Sequence, residues 1–428
     1  MNFMPLPLPT PLYPSYDELV SIDLSEYPSI KSFIESDSEF AHLLWDWGKE
    51  FLMFIGKNKA KPTFIRFRNE IERFILWSCL IKKTPIDKFK KTQILEYIDF
   101  CMKPPKEWFS TVNSDRFISS LGIYLPSEKW KPFKLRSIKG LEYDNDINET
   151  KIGSKLQDIS EYKPSRESLL SIFTALSAFY KHLMDLELVY GNPSGIAKKD
   201  CKHLIKDAQV KSFDRLTESQ WGKVKETALD LADQDDKYIR SLFVIIALKV
   251  LFLRVSELSE RDDWSPIMSH FWIDKNKDTW LKVYGKGRKI RDVSVPDTFL
   301  EYLERYRNFR GMDAFPGKND TSPLLHKFKG RGGLTSRQLT RIIQEIFDIT
   351  VQRLLSSKNR VDHQEAKELS IASTHFLRHT GASIEIERGR NLKEVSVDLG
   401  HASMDTTDRT YIDPDNKKRA KSGKERPI

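Results

Sequence analysis

Apolar positions recur at helical intervals along much of the chain. From about residue 38 to 103 the pattern is helical, and Phe64, Phe67, Ile71, Phe74 and Ile75 line one helix face. Pro62-Thr63 supplies a start for that helix, since proline is tolerated in a first turn. A second helix follows Thr84-Pro85, carries Ile94, Ile98 and Cys101, and ends before Pro104-Pro105. Over 165–190, Leu169, Ile172, Phe173, Leu176, Phe179, Tyr180 and Leu183 form one stripe, stopped by Gly191-Asn192-Pro193. Thr217 and Gln220 have capping-box spacing and open a new domain. Residues 242–253 are apolar on every side, which predicts a central buried helix. Residues 280–284 and 290–295 are short β-like runs joined by Gly285-Lys286-Gly287-Arg288-Lys289, a hairpin pattern. Thr335 and Gln338 predict another capped helix, and the rest of this half reads as mainly helical.

These elements suggest a domain plan. Residues 1–37 are rich in Pro and Ser and are expected to be a flexible N-terminal arm. Residues 38–205 read as a helical domain with an irregular insertion near 104–163, a long connection with scattered aromatics (Trp108, Trp130, Phe133) in which short helices are expected. The basic, polar stretch 198–212 reads as an interdomain linker, 213–412 as a second domain, and 413–428 as a basic tail. No internal repeat is visible.

Composition narrows the class. A chain of 428 residues has room for two or three domains. With 39% apolar and 31% charged residues it reads as a soluble globular protein. No run approaches the roughly 18 apolar residues of a membrane span; the 242–253 run is broken by Lys249. The N-terminus lacks the pattern of a secretory signal. Cys79, Cys101 and Cys201 are far apart and form no CxxC pair, which argues against a disulfide scaffold or a zinc site and suits a reducing cytoplasm. The net charge of +9 suits a polyanionic partner.

Several residues could carry chemistry. Arg254 follows the apolar run, so it needs a partner: either an ion pair with Glu257 or Glu260, or a phosphate gripped by the guanidinium. Lys286 sits at a Gly-flanked turn, which on its own is an ordinary hairpin end. His375, Arg378 and His379 share one helix face at i, i+3 and i+4, a cationic set that calls for an anion. His401 follows Leu399-Gly400, where a histidine also suits a helix C-terminus. Tyr411, taken alone, is an ordinary packing residue. Together they meet the needs of phosphoryl transfer. Cations stabilise charge on the nonbridging oxygens, a tyrosine hydroxyl of pKa about 10 is activated by a base or a positive field, and a lysine protonates the leaving oxygen.

In that order the residues resemble the tyrosine recombinase (phage integrase) family. LFLRVSELSE is similar to its first-arginine box, VYGKGRKIRDVSVP to its catalytic hairpin, and THFLRHTGAS with DLGHASMDTTDRTY to its second box and nucleophile segment. The likeness is clear over roughly 216–412; it extends to 165–193 and, more loosely, to 40–103. It implies a mainly α protein with a small β-hairpin or sheet: a helical SAM-like core-binding domain and an α+β catalytic domain. It further implies that Arg254 and Arg378 hold the scissile phosphate, Lys286 is the general acid, His375 assists as base or hydrogen-bond partner, and His401 binds the phosphate. The resemblance also implies that Tyr411 forms a 3′-phosphotyrosine, that Glu257 orients the site and that His379 supports it structurally. No metal or other cofactor is expected, because the bond energy is kept in the phosphotyrosine. The implied partners are double-stranded DNA sites, three further protomers in a synaptic tetramer, and accessory recombinases or directionality factors, in the cytoplasm at the nucleoid. Candidate phosphate contacts are Lys57, Lys59, Lys61, Arg66, Arg68, Lys198, Lys199, Lys202, Arg288 and Lys289.

Two features depart from the family pattern. Tyr411 lies ten residues after His401 where nine is usual, and Phe252 stands where Gly is frequent. Three competing readings remain: a type IB topoisomerase-like strand transferase, a catalytically inactive DNA-binding homologue, and a metal site at His375 and His379. The last finds no Cys or carboxylate set to complete it.

Overall fold

The computed structural model describes residues 8–35, 40–144, 149–204, 215–285, 289–401 and 424; for residues 143, 144 and 149 it describes the backbone alone. The chain divides into two compact units, Met1–Ile138 with Lys155–Ala208 and Lys139–Ser154 with Gln209–Ile428.

The first unit is built on α1 (Tyr16–Val20), α2 (Pro28–Ile34), α3 (Ala41–Asn58), α4 (Lys61–Leu76), α5 (Lys91–Met102), α6 (Arg166–Asp185) and α7 (Pro193–Asp200). The apolar stripes predicted on α4 and α6 are buried in full. They meet in a core of aromatic side chains, with Phe51 against Phe67 and Phe179, and Phe74 against Tyr97 and Tyr180. Asn192 and Pro193 do more than stop α6. Pro193 is the first residue of α7, and the Asn192 side chain caps it by accepting from the Gly195 amide at 3.1 Å. Residues 198–200 therefore end a helix where a linker was expected.

Two expectations are corrected here. Residues 8–35 are not a flexible arm. Leu12 and Tyr13 are fully buried, the Tyr13 hydroxyl donates to the Trp45 carbonyl at 3.0 Å, and the Trp45 indole donates to the Leu12 carbonyl at 3.1 Å. The Leu12 and Tyr13 amides both donate to the buried Glu72 carboxylate. The many prolines suggested disorder, but Leu12 and Tyr13 among them each gain roughly 1.5–3 kcal/mol on burial. Residues 1–7 lie outside the described residues. The insertion near 104–163 keeps short helical turns at Lys106–Trp108 and Ile159–Glu161 but adds strands the sequence reading did not expect: β1 (Phe109–Ser110), β2 (Phe117–Ser120), β3 (Ile123–Pro126), β4 (Phe133–Lys134), β5 (Ser137–Asp144) and β6 (Glu149–Leu156). In the β2–β3 hairpin, Leu121 and Gly122 both take positive φ (51° and 81°), the two-residue turn that matches strand twist. Within the second unit, Leu141 and Ile152 of the β5–β6 pair pack against the core, and Lys139 ion-pairs with Asp348.

The second unit contains α8 (Glu218–Gln234), α9 (Ile239–Val250), α10 (Val255–Leu258), β7 (Phe271–Ile273), β8 (Thr279–Tyr284), β9 (Ile290–Ser294), α11 (Asp297–Phe309), α12 (Ser336–Leu355), α13 (Arg360–Ser370), α14 (Thr374–Glu387) and α15 (Leu392–Leu399). The Thr217/Gln220 and Thr335/Gln338 boxes cap α8 and α12 as the spacing predicts. Residues 242–248 are buried on every face of α9. The three strands form one antiparallel sheet in the order β7-β8-β9. Mainly helical, with small sheets, this is the predicted fold class.

Helices α9 and α14 touch closely because Gly381 has no side chain. A Cβ there would lie 1.9 Å from the Lys249 carbonyl oxygen and 2.9 Å from the Phe252 ring. Gly381→Ala is expected to destabilise the protein by about 1–3 kcal/mol through overpacking, despite the roughly 1 kcal/mol helix-propensity gain. Urea denaturation measures this; a variant as stable as wild type would show that the helices part at little cost.

Candidate active site

The site is built where α9, α10, α14, α15 and β9 converge. At the end of α9 the chain reverses through Phe252, whose φ of 50° lies in the left-handed region. This is the position where the family pattern favours glycine, and the strain is of order 1 kcal/mol for a side-chain-bearing residue. It is offset by burial of the Phe252 ring with Ala382, Val395 and Leu399. The turn delivers Arg254 to the N-terminus of α10 and aims the Phe252 carbonyl at Arg378, whose guanidinium donates to it.

Glu257 is the hub. It is 1% exposed, and its carboxylate accepts from the Arg254 amide at 2.9 Å and the Arg254 guanidinium at 3.0 Å. Arg291 of β9 grips both its oxygens, at 2.7 and 3.0 Å, and Arg378 approaches to 3.8 Å. Burial alone would raise this carboxyl, but the bonds and charge of Arg291, the Arg254 amide and the charge of Arg378 hold it below the ordinary carboxylate range. Of the two partners suggested for Arg254, Glu257 is the one found.

The Leu399 carbonyl is the second shared acceptor. It takes a hydrogen bond from Arg378 at 2.7 Å and one from Arg254 at 3.4 Å. Gly400, at φ 63°, ends α15, and the His401 amide returns to the Ser396 carbonyl at 3.1 Å. That turn sets the His401 Nε2 3.5 Å from the Arg378 guanidinium. Asp398 anchors α15 to β9, accepting from the Ser294 amide and hydroxyl at 3.2 and 2.8 Å and from Arg390 at 2.6 Å.

The positive cluster acts on the histidines. Partial burial, then the charges of Arg378, Arg254, Arg291 and His379, lowers His401 to about 4. His375, at the start of α14 and solvent-accessible, is lowered by the surrounding protein and then by Arg378 and Arg254. His379 lies on the same helix, with its ring centroid 6.5 Å from that of His375. Among the described residues, no three His, Cys, Asp or Glu side chains gather as metal ligands.

His401 thus takes up its proton near pH 6.5 in the unfolded chain and near pH 4 in the folded one. Between these values the unfolded state binds more protons, so this contribution to stability falls as pH drops from about 6.5 to about 4 and is constant above that. Stability measured by urea over this window is expected to fall less steeply in His401→Asn; equal slopes would place the histidine pKa elsewhere.

The sequence-predicted residues divide as follows. Arg254, Glu257, Arg378 and His401 come together, with His375 and His379 on the helix that carries Arg378. Lys286, Arg288 and Tyr411 lie outside the described residues; Gly285 and Lys289 flank the first two, with the Gly285 amide donating to the Lys289 carbonyl at 2.8 Å. Among the candidate DNA contacts, Lys57, Lys59, Lys61, Arg66, Lys198, Lys199, Lys202 and Lys289 are exposed. Arg68 is turned inward: it donates to the Pro14 carbonyl at 2.5 Å, and burial, followed by the charge of Arg116, lowers its pKa to about 10. Lys202 pairs with Asp99 at 3.3 Å.

Sequence reasoning missed Arg291, Asp398 and Arg390. A signal for Arg291 was present: it shares strand parity with Val293 and Val295, both buried, so alternation turns it toward the core.

Arg254, Arg291 and Arg378 gather at one buried carboxylate, with His401 beside Arg378, a cationic site suited to a phosphate. Residues 215–418 match the model of the phage integrase family. The tyrosine recombinase XerC of Chlorobaculum tepidum is 27% identical over 252 residues, covering 56% of this chain and 67% of its own. XerD of Brucella abortus is 27% identical over 239 residues, covering 55% and 68%. The XerH site-specific recombinase bound to palindromic difH substrate superposes with a TM-score of 0.55 at 15% identity, over 96% of this chain and 94% of its own. The Tn1549 transposon integrase bound to transposon right-end DNA gives 0.50 at 14% identity, over 88% and 98%. Residues 215–418 thus carry the phage integrase family domain, and the chain is similar to tyrosine recombinases. Among the described residues no helix is long and apolar enough to cross a membrane.

Proposed function

We propose that the protein cuts and rejoins DNA at specific recombination sites through a 3′-phosphotyrosyl bond on Tyr411, as the recombinase of a mobile genetic element. The observation that carries this reading is the convergence of Arg254 and Arg378 on the Glu257 carboxylate and the Leu399 carbonyl, with His401 Nε2 3.5 Å from Arg378. Two guanidiniums held this close repel each other, and a phosphodiester is an anion suited to lie between them.

In this reading the Tyr411 oxygen forms a bond to phosphorus, the bond from phosphorus to the 5′-oxygen breaks, and Lys286 protonates the leaving 5′-hydroxyl. His375, kept neutral by its surroundings, accepts or steers the tyrosine proton. A 5′-hydroxyl from a second duplex then reverses the step and seals a recombinant strand. Two sites exchanging strands require four protomers, with accessory recombinases or directionality factors setting the outcome. Lys57, Lys59, Lys61 and Arg66, together with Lys198 and Lys199, are the proposed phosphate contacts, which makes affinity fall steeply with salt.

The test uses nicked DNA fragments spanning the ends of the native element. An SDS-resistant protein–DNA adduct is expected, and the DNA-linked peptide left after proteolysis should contain Tyr411. Salt-sensitive binding with no adduct would favour a DNA-binding homologue that does not cut. Relaxation of supercoiled DNA without sequence preference would favour a topoisomerase.

A further inference from the structure

We propose that Arg291 is a positioning residue for strand cleavage. It saturates the buried Glu257 carboxylate, so that Arg254 and Arg378 stay available to the scissile phosphate, and it ties them to the segment that carries His401. The inference rests on the reading of Arg254, Arg378 and His401 as phosphate ligands.

Four observations support it. Arg291 forms the two-pronged contact with Glu257, at 2.7 and 3.0 Å, whereas Arg254 reaches one oxygen through its guanidinium and Arg378 stands 3.8 Å away. Arg291 Nε donates to the Asp398 carbonyl at 2.9 Å, in the last turn of α15. Gly400, just before His401, leaves room for the Arg291 side chain: a Cβ there would fall 2.9 Å from Arg291 Nε. Gly285 does the same on the hairpin, where a Cβ would meet Arg291 Nη1 at 2.9 Å and Glu257 Oε1 at 3.3 Å. The arginine is thus enclosed by the strand end that leads to Lys286 and by the helix end that leads to His401.

The charge balance explains the role. A carboxylate 1% exposed needs a full set of donors. Arg291 supplies two of them from a side chain that is 12% exposed. Without it, Glu257 draws Arg254 and Arg378 inward, and the same guanidinium hydrogens cannot also serve a phosphate. Neutralising Glu257 at the same time removes that pull.

The experiment measures the single-turnover rate of adduct formation on nicked DNA, at saturating protein, alongside DNA affinity. Arg291→Met is expected to slow the rate about 100-fold with affinity within about twofold, the scale of an uncompensated buried charge. Arg291→Lys keeps the charge but cannot span both oxygens, and should fall between. In Arg291→Met/Glu257→Gln the rate should recover at least about tenfold over the single variant, which general damage to the fold would not produce. A single variant within about threefold of wild type overturns the proposal. So does a double variant no faster than the single one, whether the loss comes from chemistry or from unfolding. Tyr411→Phe separates the two levels of inference. An adduct absent from wild type, or persisting in Tyr411→Phe, brings down the functional reading and this role with it; an adduct lost only in Tyr411→Phe and undiminished in Arg291→Met brings down the role alone.

Discussion

Tyr411→Phe is expected to abolish the covalent protein–DNA adduct while leaving DNA affinity within about twofold. Phenylalanine removes only the hydroxyl proposed to bond to phosphorus, so the fall in rate should be at least about 10³-fold, the scale for loss of a covalent nucleophile. A free tyrosine hydroxyl ionises near pH 10. On the proposed reading, the cationic cluster of Arg254, Arg378 and Arg291, with Glu257 the carboxylate among them, would favour the oxyanion. The spacing makes the test informative. Tyr411 is ten residues beyond His401, one more than the family pattern, yet no other tyrosine lies between Asp398 and the C-terminus. The Gly400 turn closes α15 and sets His401 beside Arg378. Adduct retained in Tyr411→Phe would assign the nucleophile to another side chain.

Arg378→Ala is the second large effect, and it should act on both activity and stability. Removing a positioned guanidinium from a phosphoryl-transfer site costs about 10³-fold in rate. Arg378 is also 3% exposed and donates to the carbonyls of Phe252 and Leu399. Its loss leaves two buried acceptors without that donor, at roughly 1–3 kcal/mol each. Arg378→Lys separates the two roles. It keeps the charge, but one ammonium cannot reproduce the fork that joins the two carbonyls, so the rate should stay at least about 100-fold down. Thermal unfolding and single-turnover cleavage, measured on both variants, check this. Cleavage within tenfold of wild type in either would remove Arg378 from the phosphate site.

Both predictions concern residues visible in the chain before any fold was known, for a physical reason. Arg254, His375, Arg378 and His401 sit in short local boxes in which the residue type, the flanking apolar run and the capping signals recur together. The surrounding elements were legible for the same reason. The stripes on α4 and α6 and the Thr217 and Thr335 boxes depend on neighbours three or four residues away, so local spacing is enough to read them. Other features depended on distant partners. Leu12 and Tyr13 looked like part of a loose proline-rich lead-in, because Glu72 and Trp45, which bind them, lie 32 to 60 residues away. Arg68 looked like a surface cation until Pro14 came to meet it, 54 residues off.

By itself, then, the sequence determined the main helices of both units, the hairpin and the order of the cationic boxes, because each is written in short-range spacing. The tertiary structure decided which cations share one acceptor. Arg254, Arg291 and Arg378 span 125 residues, and they meet because a single buried carboxylate must be satisfied when the chain folds around it. It likewise decided that Phe252 can hold a backbone turn that usually favours glycine, since burying its ring among Ala382, Val395 and Leu399 offsets the strain.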